Sequence, residues 1–574
     1  MTEYTPAQKE ALTLGKSISV TAGAGTGKTF LLTQRYLALL ASGALPKDIT
    51  ALTYTEKAAA EMQTKIAREL KKQAETNPRM QECLDQFPQA VISTFHGFCL
   101  SILKEFAYEA GLDPGFSVMD DLDKAELVED TIQNIIDNPD DELFDALVRL
   151  HTRMPQSTIR SIIRTLLQAD ERWFALLRTE PETVRKTWFA LCRERFKFDE
   201  EFAGLADTIP ETEYLKALQS RFFEDPVNRS LINRLETADT EHLKKERKMY
   251  AELAKSLRTA ETPEKIRELC AGFSGKEVGG KKEFPIPEEE TKKAAEFIRI
   301  FAALSYLPGK DSELFTFTRE ILLDLFDTAS ACKKSIIRKK QRAGVLDFDD
   351  LIVKTDELLS EKHPEILKTV SARCRYLLVD EVQDNDPALI RLLKKLCGTI
   401  RDSDRLFIVG DAKQSIYLFR GADPAGYAKF REEFGDSETA LDTSFRSVPE
   451  IIQFVNELFG DIFPKPGSAE KDSCDPEYNP VRANRTKSRG SVKVISAPYR
   501  MGYSGEEEAD ILASWIYDCV TNKKLTVYEA DETPRSAEFS DVAILIRNRN
   551  RLPVLCAALE RYGVPYTEEG GKDF

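Results

Sequence analysis

The chain has 574 residues, 42% hydrophobic and 31% charged, with a net charge of −15. One core cannot fill that length, so roughly three or four domains are expected, with the composition of a soluble globular protein rich in surface helix. There is no uninterrupted apolar run of ~18 residues and no basic-then-apolar leader, so a cytoplasmic chain without a membrane partner is expected. Ten cysteines without a CxxC pair argue against zinc, an iron–sulfur cluster or a disulfide framework. The acidic balance leaves room for a locally basic channel, so charge alone does not decide between ligand classes.

In chain order, Thr5 is a candidate N-cap with Pro6 at the first helical position. SISVTA (17–22) reads as a short β-branched strand. The loop AGAGTGKT (22–29) follows, then a helix from Lys28 that Gly43 ends. ITALTYT (49–55) is a second strand, with a helix of strong helix formers behind it. VISTFHGFC (91–99) is a third strand edge leading into a helix. This alternation predicts an α/β fold with a parallel, doubly wound sheet.

From about 105 to 335 almost everything reads as amphipathic helix, apart from a Gly/Lys-rich loop at 275–287. Strand chemistry then resumes in RYLLVDE (375–381) and RLFIVGD (405–411), so the helical block is expected to be an insertion within a domain made of 1–104 and 336–462. Residues 463–490, rich in Pro, Gly, Ser and Asn, are expected to form a linker. Over 491–574, SVKVISAP, DVAILIRN and two helices predict the beginning of a second α/β domain, with a further strand suggested at VPYTEE (564–569).

The chemistry concentrates in two segments. In the glycine-rich loop, Ala22, Gly23, Ala24, Gly25, Thr26 and Gly27 can turn backbone N–H groups toward phosphates. Lys28 then reaches the β/γ-phosphates of a nucleoside triphosphate, and the Thr29 hydroxyl can ligate Mg²⁺. In LLVDEVQD, Asp380 is placed to complete the metal shell and Glu381 to orient or deprotonate a water. Alone, these two segments leave kinases, GTPases and many ATPases open.

Three companions narrow the field. Gln8, upstream of the loop, is in range of a purine edge; otherwise it is an ordinary helix glutamine. VGDAKQSIYLFRGAD (409–423) offers Gln414 to sense a γ-phosphate. It also sets Tyr417 and Phe419 beside Lys413 and Arg420, a pattern suited to stacking single-stranded bases at ~1–3 kcal/mol each, or else to ordinary core packing. DTSFRS places Arg446 before a helix, either to stabilise transferring phosphate charge or as a surface ion-pair partner.

Gln8, AGAGTGKT, TYTEKAAAEM (53–62), STFHGFC (93–99), LDFDDLI (346–352), LLVDEVQD, VGDAKQSIYLFRGAD and DTSFRS occur in the order found in UvrD/Rep-type superfamily 1 DNA helicases, which the chain resembles across residues 8–449. DVAILIRNRNR (541–551) extends the likeness. The segment KQSIYLFRGAD, the long helical insertion and Phe30 in place of the usual arginine make it most similar to the RecB/AddA branch.

The resemblance implies a P-loop, RecA-like motor domain with an all-helical insertion and the start of a second RecA-like domain. It implies ATP and Mg²⁺, 3′→5′ movement on DNA, recombination and double-strand-break repair, single-stranded DNA and single/double-strand junctions as partners, and a nuclease/helicase partner protein. By the same resemblance, Gln8 would read adenine, residues 22–29 would cradle the phosphates, and Asp380 would hold Mg²⁺. Glu381 would be the base, with Gln414 and Arg446 contacting the γ-phosphate. Tyr54, Thr94, Phe95, His96, Tyr417 and Phe419 would line the single-strand path. KKSIIRKKQR (333–342) offers phosphate contacts or a solvated helix face. The family's later motifs, the domain inserted in the second half and a RecB-type nuclease are not found, so an N-terminal portion of a longer motor is expected. The alternative is a nucleotide-gated DNA-binding protein whose motor activity a partner completes.

Overall fold

The computed structural model describes residues 4–169, 171–196, 208–226, 245–271, 312–401, 403–416, 422–464, 476–494, 505–529 and 531–568, with a few positions between 204 and 307. It divides into two units, one made of 1–116 with 346–574 and the other of 117–345.

The first unit is built on six strands: β1 (Ile18–Ala22), β2 (Ile49–Thr53), β3 (Val91–Thr94), β4 (Tyr376–Val379), β5 (Leu406–Gly410) and β6 (Glu438–Leu441). They lie in the order β3-β2-β4-β5-β1-β6, and every pairing is parallel. Val20 of β1 sits between Val409 and Thr439, and Ala51 of β2 beside Leu378. The central strands are apolar on both faces because helices cover both. Leu31, Leu32 and Tyr36 of the helix Lys28–Ala41, with Met62, Ile66 and Leu70 of Glu56–Ala74, pack on Val20, Ala51, Phe407 and Val409.

Parallel strands all point the same way, so their C-terminal ends share one edge. That edge carries Gly23–Thr29 after β1, Tyr54 after β2, Phe95 after β3, Asp380–Glu381 after β4 and Asp411–Gln414 after β5. In open α/β sheets this edge is where ligands bind.

A buried arginine fixes the entry to β1. Arg35 is fully buried and donates to the carbonyls of Ala11, Thr13 and Lys16, with its guanidinium 5.2 Å over the Phe407 ring. It faces carbonyl oxygens rather than a carboxylate, and burial lowers its pKa to about 10. The short helix Pro6–Ala11 that bears Gln8 is thereby pinned to the helix behind the phosphate loop.

In the second unit, the helices Asp121–Asp137, Asp141–His151 and Gln156–Leu166 pack on the 31-residue helix Glu313–Ala343 through Ile132, Leu147, Leu150, Ile159, Ile163, Leu325 and Ala329. Its edges at 117 and 345 differ from the expected 105 and 335 for a local reason. Phe116 is buried in the first unit under the Lys104 ammonium, 4.0 Å from its ring. On the return, the long helix runs unbroken until Gly344 stops it in the left-handed region, φ +62°. The Gly/Lys-rich loop at 275–287 lies outside the described residues.

One expectation for the C-terminal part needs correction, and the segment expected as a linker has contacts of its own. The linker segment is fastened where it is described: Asn456 holds Val481 by both N–H and C=O, and Arg482–Ala483 pairs in parallel with Thr443–Ser444. DVAILIRN, the described start of SVKVISAP and the described part of VPYTEE are not strands. Leu545 is 96% exposed, and these segments have no ladder partner among the described residues. A strand exists only when a neighbour satisfies its backbone, which pattern alone does not supply. The helices Glu506–Thr521 and Leu552–Arg561 do pair, through Ala509, Ala513, Ile516, Leu555, Ala558 and Leu559. Among the described residues no helix is long and apolar enough to cross a membrane.

Replacing Arg35 by Met leaves three carbonyls without their donor, at ~1–3 kcal/mol for each buried unsatisfied group. Chemical denaturation of R35M followed by circular dichroism should show a loss on the order of 2–4 kcal/mol; an unchanged midpoint would contradict the pinning role.

Candidate active site

The phosphate loop is shaped by two left-handed glycines, Gly25 at φ +77° and Gly27 at φ +92°, the latter capping the helix that starts at Lys28. Thr26 folds back on the loop, its hydroxyl donating to the Gly23 carbonyl at 2.8 Å. The backbone N–H of Phe445 donates to the Gly25 carbonyl at 2.8 Å, which brings DTSFRS against the loop. A Cβ on Gly25 would lie 2.7 Å from Cβ of Arg446. Two segments far apart in the chain therefore form one wall.

A cavity of about 390 Å³ opens here, lined by Ala24, Gly25, Gly27, Lys28, Thr29, Phe30, Asp380, Glu381, Gln414, Phe445 and Arg446. Lys28 Nζ lies 2.9 and 3.0 Å from the two Glu381 carboxylate oxygens and 3.5 Å from Gln414 Oε1. With Lys28 only 13% exposed, the pair is partly shielded from water. Gln414 also donates to Asp411 Oδ2 at 2.8 Å, and Lys413 pairs with Asp411 Oδ1 at 2.9 Å. Gln8 is buried next to the loop, with Nε2 3.7 Å from where a Cβ on Gly27 would sit. Its Oε1 accepts from the Thr5 N–H, completing the capping box of the first helix.

Asp380 ends β4 with its N–H bonded to the Leu52 carbonyl, and is 8% exposed. Burial, then the neighbouring Glu381 charge, push its carboxyl up to about 6. Lys28 sits on Glu381, so among the described residues Asp380 is a buried carboxylate without a cation of its own at ion-pair distance. That is the donor chemistry that accepts a divalent ion, and with the Thr29 hydroxyl it fits Mg²⁺, which takes few protein oxygens and shares phosphate and water ligands. Glu381 itself adopts φ +51°, a left-handed conformation costly for a non-glycine residue.

Comparison with known proteins agrees with this geometry. The UvrD/REP helicase N-terminal domain family matches residues 4–435. The chain belongs to this family. It is 28% identical to the A-type subunit of an ATP-dependent helicase/nuclease of Natranaerobius thermophilus, over 96% of this chain and 47% of that protein. The same-named protein of Geobacillus kaustophilus is 27% identical over 96% and 48%, and that of Carboxydothermus hydrogenoformans 28% over 81% and 40%. The chain thus spans about half the length of the curated relatives it matches.

The residues expected along a UvrD/REP single-strand path are placed unevenly. Tyr54 is half-buried just beyond β2. The Thr94 hydroxyl is already engaged, accepting from the Gly97 N–H at 3.0 Å and donating to Glu56 at 2.8 Å. Phe95 needs correction as a path-lining ring, because it is 2% exposed. It is the first residue of the helix Phe95–Glu105, whose buried face also takes Phe98 and Cys99. His96 stays half-buried and meets the exposed ring of Phe348 edge-on, 5.3 Å between centroids. Tyr417 and Phe419 lie outside the described residues.

Sequence reasoning missed Phe445, which lines the cavity and whose only signal is its place between Ser444 and Arg446.

Gly25→Ala should abolish nucleotide binding in equilibrium titrations, since the new methyl both strains φ and collides with Arg446. Asp380→Asn separates stability from function. A carboxyl raised from 3.8 to about 6 costs the native state on the order of 2–3 kcal/mol at neutral pH, and the cost is relieved as pH falls through about 6. D380N should therefore melt a few degrees higher at pH 7.5, with the gain shrinking toward pH 5, while Mg²⁺-dependent hydrolysis is lost; a lower melting point would contradict the buried-charge argument.

Proposed function

We propose that the chain is the ATP-binding part of a 3′→5′ DNA helicase of the AddA type, acting on single-stranded DNA and single/double-strand junctions in double-strand-break repair and recombination. The observation that carries this is the convergence of Lys28, Glu381, Gln414 and Arg446 on one cavity at the phosphate loop, within a UvrD/REP domain. Polarity follows the family resemblance. The relatives are named as parts of an enzyme that is both helicase and nuclease, which supports a nuclease/helicase partner for this chain. Residues 491–574 are read as the opening of a second motor domain.

The chemistry follows from the side chains. Lys28 neutralises Glu381. An entering triphosphate competes for the ammonium, and Lys28 moves to the β/γ-phosphates. Glu381, released but still fixed by its backbone, orients a water and accepts its proton as the water oxygen bonds to the γ-phosphorus and the bond to the ADP oxygen breaks. Gln414 and Arg446, which line the same cavity, contact the γ-phosphate. Thr29 and Asp380 would hold Mg²⁺, which supplies charge neutralisation at the phosphates.

Lys28→Ala and Glu381→Gln should each reduce hydrolysis by at least ~10²-fold, as expected for lost transition-state charge placement; steady-state ATPase at the wild-type level in E381Q would sink the assignment of the base. If a second arginine finger, aimed at the transferring phosphate, is supplied from beyond these residues, turnover by the chain alone should be slow, since such fingers are worth ~10³–10⁵ in rate. Unwinding assays with and without a partner protein separate a self-sufficient motor from a nucleotide-gated binding protein, and DNA/RNA competition tests the polymer.

A further inference from the structure

Gln383 is 1% exposed and makes more directed contacts at the site edge than a packing residue needs. Its Nε2 donates to Glu381 Oε2 at 2.7 Å and lies 3.4 Å from Asp384 Oδ2. Its Oε1 accepts the backbone N–H of Asp411 at 3.0 Å. Its own carbonyl accepts from the Ser415 hydroxyl at 3.1 Å. Asp411 in turn holds Gln414 and Lys413. One amide therefore joins the residue that faces the water to the loop that faces the γ-phosphate. The surroundings are built to this amide: a Cβ on Gly410 would stand 2.7 Å from Gln383 Oε1 and 2.7 Å from the Tyr427 hydroxyl.

We propose that Gln383 is a positioning residue that keeps the Glu381 carboxylate aimed once Lys28 has left it for the phosphates, and that ties this aim to the placement of Gln414. The proposal rests on the reading of Glu381 as the residue that orients the attacking water. Two groups grip the carboxylate, Lys28 on both oxygens and Gln383 on Oε2. Lys28 is needed elsewhere in the loaded state, whereas Gln383 stays anchored by the Asp411 N–H. A carboxylate held by a single anchored donor keeps its direction, and errors of ~1 Å in such groups cost ~10²-fold in rate.

The test uses Gln383→Met, which keeps length and volume while removing the side-chain hydrogen bonds to Glu381, Asp384 and Asp411, and Gln383→Glu, which keeps the acceptor for Asp411 N–H but not the donor to Glu381. In the full 574-residue chain, affinities for Mg²⁺–ADP and for Mg²⁺–ADP with aluminium fluoride, a mimic of the transferring phosphoryl group, are measured by calorimetry. Both variants should bind ADP within about 3-fold of wild type and lose ~10–100-fold in affinity for the fluoroaluminate complex, the range seen when an outer-shell partner is removed. Amide exchange at Asp411 should quicken in Q383M and stay slow in Q383E.

Fluoroaluminate affinity within about 3-fold of wild type in Q383M overturns the proposal, as does an equal loss for ADP, which would mark a merely structural role. Lys28→Ala run alongside separates the two ideas. If K28A leaves both affinities unchanged, the reading of the site itself has failed. If it weakens both while Q383M weakens neither, only the positioning role has.

Discussion

Six parallel strands cannot be joined by tight turns, and the long crossovers they require leave every strand's C-terminal end on the same edge. Everything else about the site depends on that constraint. β1 delivers the phosphate loop, β4 delivers Asp380 and Glu381, and β5 delivers Asp411 and Gln414 to adjacent places because the order β3-β2-β4-β5-β1-β6 makes them neighbours. The 353 positions between Lys28 and Glu381 shrink to 2.9 Å for that reason. The helical insertion can be large without disturbing the chemistry, since it leaves and re-enters the chain away from these strand ends in sequence, after Phe116 and before Leu346.

The charges at this edge are arranged as an unfinished set. Lys28 and Glu381 satisfy each other, Lys413 and Asp411 satisfy each other, and Asp380 remains buried with its carboxyl raised to about 6. A buried carboxylate beside a second one is unfavourable until a cation arrives. The cost sits where a phosphate-bound metal would relieve it, as expected when a site holds strain for its ligand rather than for its own stability. The left-handed backbone of Glu381 is a second such cost.

Much of this was legible in residue order. Local glycine, lysine and carboxylate patterns state their chemistry because phosphate loops and strand-end carboxylates are built from contiguous residues. The strands β1, β2, β4 and β5 were legible because buried parallel strands are continuous apolar runs. Legibility failed where a property belongs to a neighbour. Phe95 carries the same aromatic ring whether it faces a groove or the core, and only the packing of the helix Phe95–Glu105 sends it inward. DVAILIRN has a strand's pattern, but a pattern does not supply the adjacent strand. The segment 476–490 has a linker's composition, yet Asn456 holds Val481 at both backbone groups, a contact no composition reports.

By itself the sequence determined the chemical inventory: a glycine-rich loop ending in Lys-Thr, an Asp-Glu pair at a strand end, the glutamine and arginine proposed to contact the γ-phosphate, and an order of motifs shared with UvrD/REP helicases. Those follow from short contiguous segments, whose meaning survives without the rest of the fold. Tertiary structure alone decided which groups touch: that Lys28 rests on Glu381, that Phe445 and Arg446 close onto Gly25, and that Gln383 bridges two loops. Such contacts are set by strand order and by close packing between residues far apart in the chain, and neither is written in any one stretch of it.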